Sequence, residues 1–339
     1  MEAKICLIGK GNVGHTFLQL LHEKQREFKE KYKLQYKVNA IFEYDGAIIN
    51  ENGVDLYELL KLGNKYRESS DWREGVRTLD FISNLDVNIL VESTPTNPKT
   101  GEPGLSHILE SLNNGIDVIT SNKGPFYLEY SKIKNLAKKK SCIIKYEATV
   151  ASCVPIISIK EKLMGNTIIR ITSILNGTCN FILDRMMAEK IHFSLALKEA
   201  QELGYAEADP SLDIEGYDAA GKLVILANEL LGMSKTIHDV KIRGISKVTP
   251  HAIELAKSEG FVIKHLAIAE KNDLIVEPRL IERDSPLNIR GTLNVIELFT
   301  KYAGPIILTG RGAGGFEAAS AMLNDLINIS MERGFIKEI

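Results

Sequence analysis

The sequence lacks what would carry it into a membrane or onto a polyanion. No apolar run approaches the ~18 residues of a membrane span. Net charge is -2, from 42 Lys+Arg against 44 Asp+Glu, so no basic excess exists to grip nucleic-acid phosphates. The four cysteines, Cys6, Cys142, Cys153 and Cys179, are scattered without metal-ligand spacing, and free thiols in a reducing compartment are expected. There is no internal repeat, no low-complexity segment and no signal-peptide architecture. A cytoplasmic protein with a small-molecule partner, and neither nucleic acid nor membrane, is the expectation. With 339 residues, 44% hydrophobic and 25% charged, the chain should form two domains, each with its own core.

What is present begins with Lys4–Ile8, an apolar strand that runs into Gly9-Lys10-Gly11-Asn12-Val13-Gly14 and then a helical pattern through Val13, Phe17, Leu20 and Leu21. This is the dinucleotide-binding fingerprint in context. Gly9 permits the tight turn, Gly11 lets backbone approach a pyrophosphate, and Gly14 lets the helix pack on the strand. The charge-dense stretch 23–37 reads as a lengthened exposed helix end and loop. Val38–Phe42 is the second strand, and Glu43 at its end would bond the adenosine ribose and repel the extra phosphate of NADP. Its separation from Gly9 exceeds the usual ~20 residues, which the charged insertion explains. Asp45 competes for the role. No arginine adjoins this strand end in the sequence, so NAD is preferred, with NADP second.

Asn88–Glu92 and Asp117–Thr120 are buried strands whose ends deliver Ser93-Thr94-Pro95-Thr96-Asn97 and Ser121-Asn122-Lys123-Gly124-Pro125 to the carboxyl edge of the sheet, where ligands bind. His107–Leu112 reads as a helix between them, and Ile143–Glu147 as the last strand of this unit. Small residues follow from Ala148. The pattern then changes. Apolar segments at Ile168–Leu175, Phe261–Ala269 and Leu274–Ile281, with helices between, suggest an antiparallel sheet with helices on one face. The tail holds a strand at Ile306–Leu308, a glycine loop at 310–315 and a helix at Ala318–Ile329, and is expected to pack back on the first domain. The fold class is α/β: a Rossmann-type domain over residues 1–150, completed by 305–339, and an α+β substrate and dimerisation domain over 151–304.

The densest chemistry lies in Gly204–Lys222, GYAEADPSLDIEGYDAAGK. Asp218 and Lys222 are four apart, hence on one helix face. The helix beyond is apolar around most of its circumference and should be buried. A buried ammonium must be paired, and its pKa can be drawn toward the working pH, as a lysine general acid/base requires. The plain alternative is an i,i+4 surface pair contributing about 0.3–0.5 kcal/mol. The upstream carboxylates Glu207, Asp209, Asp213 and Glu215 favour a functional site.

Taken together, Gly9-x-Gly11-x-x-Gly14, Ser121–Pro125, Glu147–Val150, Asn176-Gly177-Thr178-x-Asn180, Gly204–Pro210, Asp213-x-Glu215-Gly216-x-Asp218-Ala219-Ala220-x-Lys222 and Gly310-x-Gly312-Ala313-Gly314 closely resemble homoserine dehydrogenase, in family order over nearly the whole chain. The resemblance implies reversible NAD(P)H-dependent reduction of L-aspartate 4-semialdehyde to L-homoserine, toward threonine, isoleucine and methionine. It implies Lys222 as proton carrier and Lys123 as the second active-site lysine, with Glu207, Asp218, Asp213, Thr149 and Gly177 at the substrate. Along the cofactor it implies Gly9, Gly11, Asn12, Val13, Gly14, Glu43, Ser93, Thr94, Lys123, Gly204 and Gly314. It implies a monovalent-cation (Na+) site on main-chain carbonyls of Glu147, Val150, Ser152 and Val154, although Ala151-Ser152-Cys153 stands where the family often has glycines. It also implies a homodimer. The chain ends at Ile339, and neither an aspartate-kinase half nor a C-terminal regulatory domain is expected. From the residues alone two other readings stay open: a different amino-acid or aldehyde oxidoreductase on the same scaffold, and a catalytically silent NAD-binding sensor.

Overall fold

Short, almost wholly buried apolar runs alternate with helices through the first half of the chain, as parallel strands covered on both faces require. The computed structural model describes residues 2–336. It divides into two units, residues 1–149 with 314–339, and residues 150–313.

The first unit holds a seven-stranded sheet built from β1 (Ala3–Ile8), β2 (Tyr36–Glu43), β3 (Gly46–Ile49), β4 (Trp72–Glu74), β5 (Ile89–Glu92), β6 (Asp117–Thr120) and β7 (Ile144–Lys145). Its order is β4-β3-β2-β1-β5-β6-β7. β1 pairs in parallel with both β2 and β5, so the strand order reverses at β1. That is the switch point at which doubly wound sheets bind ligands. The hairpin extension β3–β4 is antiparallel and has no counterpart in the sequence reading. Residues 23–37 are not simply helix end and loop. A second short helix, Gln25–Glu30, forms there because Phe28 is buried against Tyr32 and Tyr36. The expected strand Ile143–Glu147 shrinks to two residues, followed by a 3-10 turn at Glu147–Thr149.

The helix Gly315–Glu332 belongs to this unit and packs on the helix Asn12–Glu23 through Ala318, Met322 and Leu326, in the same core as Phe17 and Leu21. Its end is clamped to the sheet. Arg333 gives Nε and Nη2 to the two oxygens of Asp117 at 2.7 and 2.5 Å, and Nη2 also reaches the Ser141 carbonyl at 2.8 Å. Asp117 is buried and also accepts the Ile143 amide at 2.7 Å. Removing the guanidinium strands that carboxylate, at a cost moderated because Arg333 is itself partly exposed. Arg333→Ala should therefore lower stability by about 2 kcal/mol, read as an earlier denaturant midpoint.

The second unit holds a six-stranded sheet: β8 (Ile168–Ile174), β9 (Val240–Ile242), β10 (Phe261–Glu270), β11 (Asp273–Glu282), β12 (Leu293–Thr300) and β13 (Gly304–Arg311), in the order β13-β12-β8-β10-β11-β9. Every pairing is antiparallel except β11 with β9. The helices Gly177–Glu189 and Tyr217–Leu231 pack on it. One expectation is corrected here. The tail strand Ile306–Leu308 does not return to the first domain, because β13 is zipped to β12 along its whole length. Its alternating exposure marks it as the edge of the second sheet, and the chain changes unit only at Gly314.

Candidate active site

In the first unit, three chain segments meet at the carboxyl end of β1. Gly9 has φ +88°, and a Cβ there would lie 2.9 Å from the Ser93 carbonyl oxygen. Gly9 donates its amide to Phe42 at the end of β2. Ser93, just after β5, donates its hydroxyl to the Gly9 carbonyl at 2.7 Å. A Cβ on Gly14 would lie 2.0 Å from that same Gly9 oxygen, so the helix Asn12–Glu23 approaches the turn as only glycine allows. Above Gly11, by contrast, a Cβ would meet nothing within 4 Å. The open space over Gly11, at a helix N-terminus led by Asn12 and Val13, fits a pyrophosphate that accepts orphan backbone N–H groups. The helix that begins at Gly315 starts beside it, since a Cβ on Gly315 would fall 2.9 Å from Asn12 Oδ1, and its cap Gly314 has φ +128°.

Glu43 stands at the end of β2, and its carboxylate accepts the Lys10 amide of the glycine turn. The sequence reading found no arginine beside this strand end, but the fold brings one. Arg67 returns across the β3–β4 extension to pair with Asp45 at 2.7 Å, its guanidinium lying 4.6 Å from the Tyr66 ring. Lys10 reaches the same ring at 4.5 Å, and burial together with Arg67 lowers its pKa, against the opposing pull of Glu43.

Thr94 and Lys123 sit on adjacent edge loops, joined by a residue that sequence reasoning passed over as a mere strand end. Glu92 is fully buried. Its Oε1 accepts the Thr94 amide at 3.0 Å and the Thr94 hydroxyl, and its Oε2 accepts Thr120 Oγ1 at 3.0 Å. Asn122 extends the network, donating to Thr94 Oγ1 at 3.3 Å and accepting the Gly124 amide and the Thr96 hydroxyl. Lys123 is the cap of the helix Gly124–Lys140. The only sequence signal for Glu92 was a carboxylate closing a wholly apolar run. In this unit, too, Thr149 is buried with its hydroxyl on the Tyr146 carbonyl at 2.7 Å, and the buried Glu147 donates its amide to Asp325 at 3.1 Å. Burial and the Glu147 carboxylate raise the Asp325 pKa well above the ordinary range.

In the second unit the helix Tyr217–Leu231 is buried continuously from Ala219 to Leu230, and Lys222 with it. Lys222 Nζ donates to Asp218 Oδ2 at 2.7 Å and to the Leu175 carbonyl at 2.8 Å. Both side chains of the pair are about a tenth exposed, which rules out the surface-pair alternative. Asp218 lies in the first turn of its helix, where the dipole favours an anion. Asp213 comes from the short helix Ser211–Ile214, and Asn176 Nδ2 joins the two acids at 2.6 Å to Asp213 and 2.9 Å to Asp218. Gly177 opens the next helix, but its glycine answers packing: a Cβ would lie 2.5 Å from the Thr292 carbonyl oxygen. Gly204, φ +74°, and Glu207 lie on an exposed loop tied to that helix by Thr178 Oγ1 on the Tyr205 carbonyl at 2.7 Å. Val150, Ser152 and Val154 form a buried turn, with Ala151 and Ser152 at φ +53° and +48°. Among the described residues no cluster of three or more His, Cys, Asp or Glu could hold a metal, and no helix is long and apolar enough to cross a membrane.

The arrangement offers a nucleotide cradle in one unit and, in the other, a buried ammonium wired to two carboxylates. The family described as "Homoserine dehydrogenase, NAD binding domain" matches residues 9–147, and "Homoserine dehydrogenase" matches residues 155–327. A homoserine dehydrogenase of Methanocaldococcus jannaschii is 46% identical over 329 residues, covering 96% of this chain and 98% of that protein. An NAD(+)-dependent homoserine dehydrogenase of Pseudomonas canavaninivorans is 36% identical over 341 residues, covering 97% and 96%. The solved structure of a hyperthermophilic archaeal homoserine dehydrogenase in complex with NADPH is similar with a TM-score of 0.85 at 29% identity, covering 98% of each chain.

Proposed function

This chain belongs to the homoserine dehydrogenase family, and from that premise we propose how its own residues divide the work. The reaction is the reversible reduction of L-aspartate 4-semialdehyde to L-homoserine with a nicotinamide nucleotide, a step of amino-acid biosynthesis. When bound, the nicotinamide supplies or accepts the hydride. Lys222 gives the proton to the carbonyl oxygen in reduction and takes it from the hydroxyl in oxidation. Lys123 stabilises the developing alkoxide as a second cation. Glu207 and Asp218, with Asp213 close to them in sequence, hold the substrate ammonium; Thr149 and Gly177 complete the substrate contacts. The nucleotide lies along Gly9, Gly11, Asn12, Val13, Gly14, Ser93, Thr94, Lys123, Gly204 and Gly314. The observation that carries this reading is the buried Lys222 ammonium, held at 2.7 Å from Asp218 and 2.8 Å from the Leu175 carbonyl. Initial rates of homoserine oxidation with NAD and with NADP, run side by side, test it.

On the choice of nucleotide, Glu43 supports NAD. Its carboxylate already caps the glycine turn, where a ribose diol can be bonded and a 2′-phosphate is repelled. Arg67, held by Asp45, keeps NADP as second substrate. Glu43→Ala should lower the NAD-over-NADP ratio of kcat/KM about tenfold, roughly the 1.4 kcal/mol of one charged hydrogen bond. An unchanged ratio would show that Glu43 does not read the ribose. For a sodium-class cation, the left-handed backbone at Ala151 and Ser152 supports main-chain carbonyl ligation within Glu147–Val154, by Glu147, Val150, Ser152 and Val154. Exposed Ile169 and Ile307 on β8 and β13 support a homodimer through the six-stranded sheet, and four free thiols support a reducing cytoplasm.

A further inference from the structure

Asn176 opens a sequence motif and caps the helix Gly177–Glu189. Its Oδ1 accepts the Cys179 amide at 2.9 Å, the ordinary N-cap bond. Its other end does something a cap does not require. The Nδ2 group gives its two N–H donors to two different carboxylates, Asp213 Oδ1 at 2.6 Å and Asp218 Oδ2 at 2.9 Å. That Asp218 oxygen is the one that accepts Lys222 at 2.7 Å. The residue before it, Leu175, gives its carbonyl to Lys222 at 2.8 Å. Two consecutive residues thus hold both members of the ion pair, from an element distant in sequence, and Asn176 is itself buried.

We propose that Asn176 is a positioning residue for the proton transfer: its neutral carboxamide ties Asp213 and Asp218 together, fixes the carboxylate against Lys222, and so sets the pH at which that ammonium can give up its proton. The inference rests on the reading of Lys222 as proton carrier. The residue type matters because a carboxamide has two donors for two anions and adds no charge. A carboxylate in its place would make a third negative group beside one ammonium and strengthen that ammonium's hold on its proton.

Other titratable groups come from the elements packed around the pair. Asp218 comes from the helix of Lys222, Asp213 from Ser211–Ile214, and Glu215 from the turn between the two helices. Cys179 comes from the helix that Asn176 caps, with its thiol 3.1 Å from the Asp213 carbonyl, and burial raises it well above the ordinary thiol range. His265 comes from β10, its ring against Gly216 and its Nε2 3.0 Å from the Arg243 carbonyl oxygen, and burial lowers it. Burial therefore favours the neutral form of both groups.

Asn176→Asp and Asn176→Ser test this in the full-length enzyme, because Asp and Ser cap helices about as well as Asn. In homoserine oxidation, where Lys222 must start neutral, activity should rise with pH. Asn176→Asp should move that rise up by about 1 pH unit, and the alkaline fall of the reverse reduction should move up with it. Asn176→Ser keeps the cap but loses the bonds to both carboxylates, so kcat should fall at least about tenfold, the penalty of a misplaced catalytic group. An unmoved pH profile in Asn176→Asp, or wild-type kcat in Asn176→Ser, would reduce Asn176 to a helix cap. Lys222→Ala keeps the two failures apart. Wild-type turnover in that variant removes the proton-carrier reading itself. Its loss, with an unmoved profile in Asn176→Asp, removes only the present inference.

Discussion

Lys222→Ala is expected to lower kcat for homoserine oxidation by about 10²–10⁴, the range of a single positioned general acid/base, with KM changed far less. On the proposed division of roles the variant removes the proton acceptor, while Glu207, Asp213 and the Asn176 bonds to Asp213 and Asp218 remain. Lys222→Arg separates charge from proton transfer. A guanidinium keeps the positive charge beside Asp218 but stays protonated at any working pH. It should fold with the ion pair intact and remain about as inactive as the alanine variant. Substantial activity in Lys222→Arg would mean that a fixed positive charge, not a mobile proton, is what the reaction needs.

The second large effect belongs to the glycine turn. Gly14→Ala places a methyl 2.0 Å from the Gly9 carbonyl oxygen and 2.8 Å from Ser93 Oγ. The first of these neighbours is backbone and cannot rotate away, so the turn itself must open. Affinity for the nicotinamide nucleotide should fall at least about a hundredfold, roughly 2.7 kcal/mol, and stability should fall by about 1–3 kcal/mol as in overpacked cores. Gly11→Ala is the informative partner. Its φ of -66° suits alanine, and nothing lies within 4 Å of the new methyl. The fold should be untouched while the methyl occupies the space the pyrophosphate needs. Calorimetric titration with NAD, beside thermal melts of both variants, reads the contrast. A Gly11→Ala protein that binds as tightly as wild type would place the pyrophosphate elsewhere.

The nucleotide unit was legible in the sequence because its signals are local. β1, the turn from Gly9 to Gly14 and the following helix are contiguous, and β5 and β6 are short runs buried on both faces. What stayed hidden depends on pairing between distant segments. The β3–β4 extension is short and folds back by antiparallel pairing, so nothing near Glu43 announced that Arg67 would come to Asp45. The strand at Ile306–Leu308 was found, but its unit was decided by β12, which the pattern had not singled out. The site divides in the same way. The Asp218–Lys222 pair follows from helical spacing, and the burial of its helix from a nearly unbroken apolar circumference. Asn176 reaching Asp213 and Asp218, and Glu92 reaching Thr94 and Thr120, are bonds between elements, and a linear chain carries no period that marks them.

At the centre of this account one ammonium moves one proton. The most direct test is the pH dependence of kcat for homoserine oxidation with saturating NAD, measured in the wild type and in Lys222→Ala from neutral to alkaline pH. The wild-type rate should climb with a single ionisation, and in the variant the residual rate should lose that ionisation and follow hydroxide alone. The same ionisation persisting in Lys222→Ala would assign the proton to another group and contradict the account.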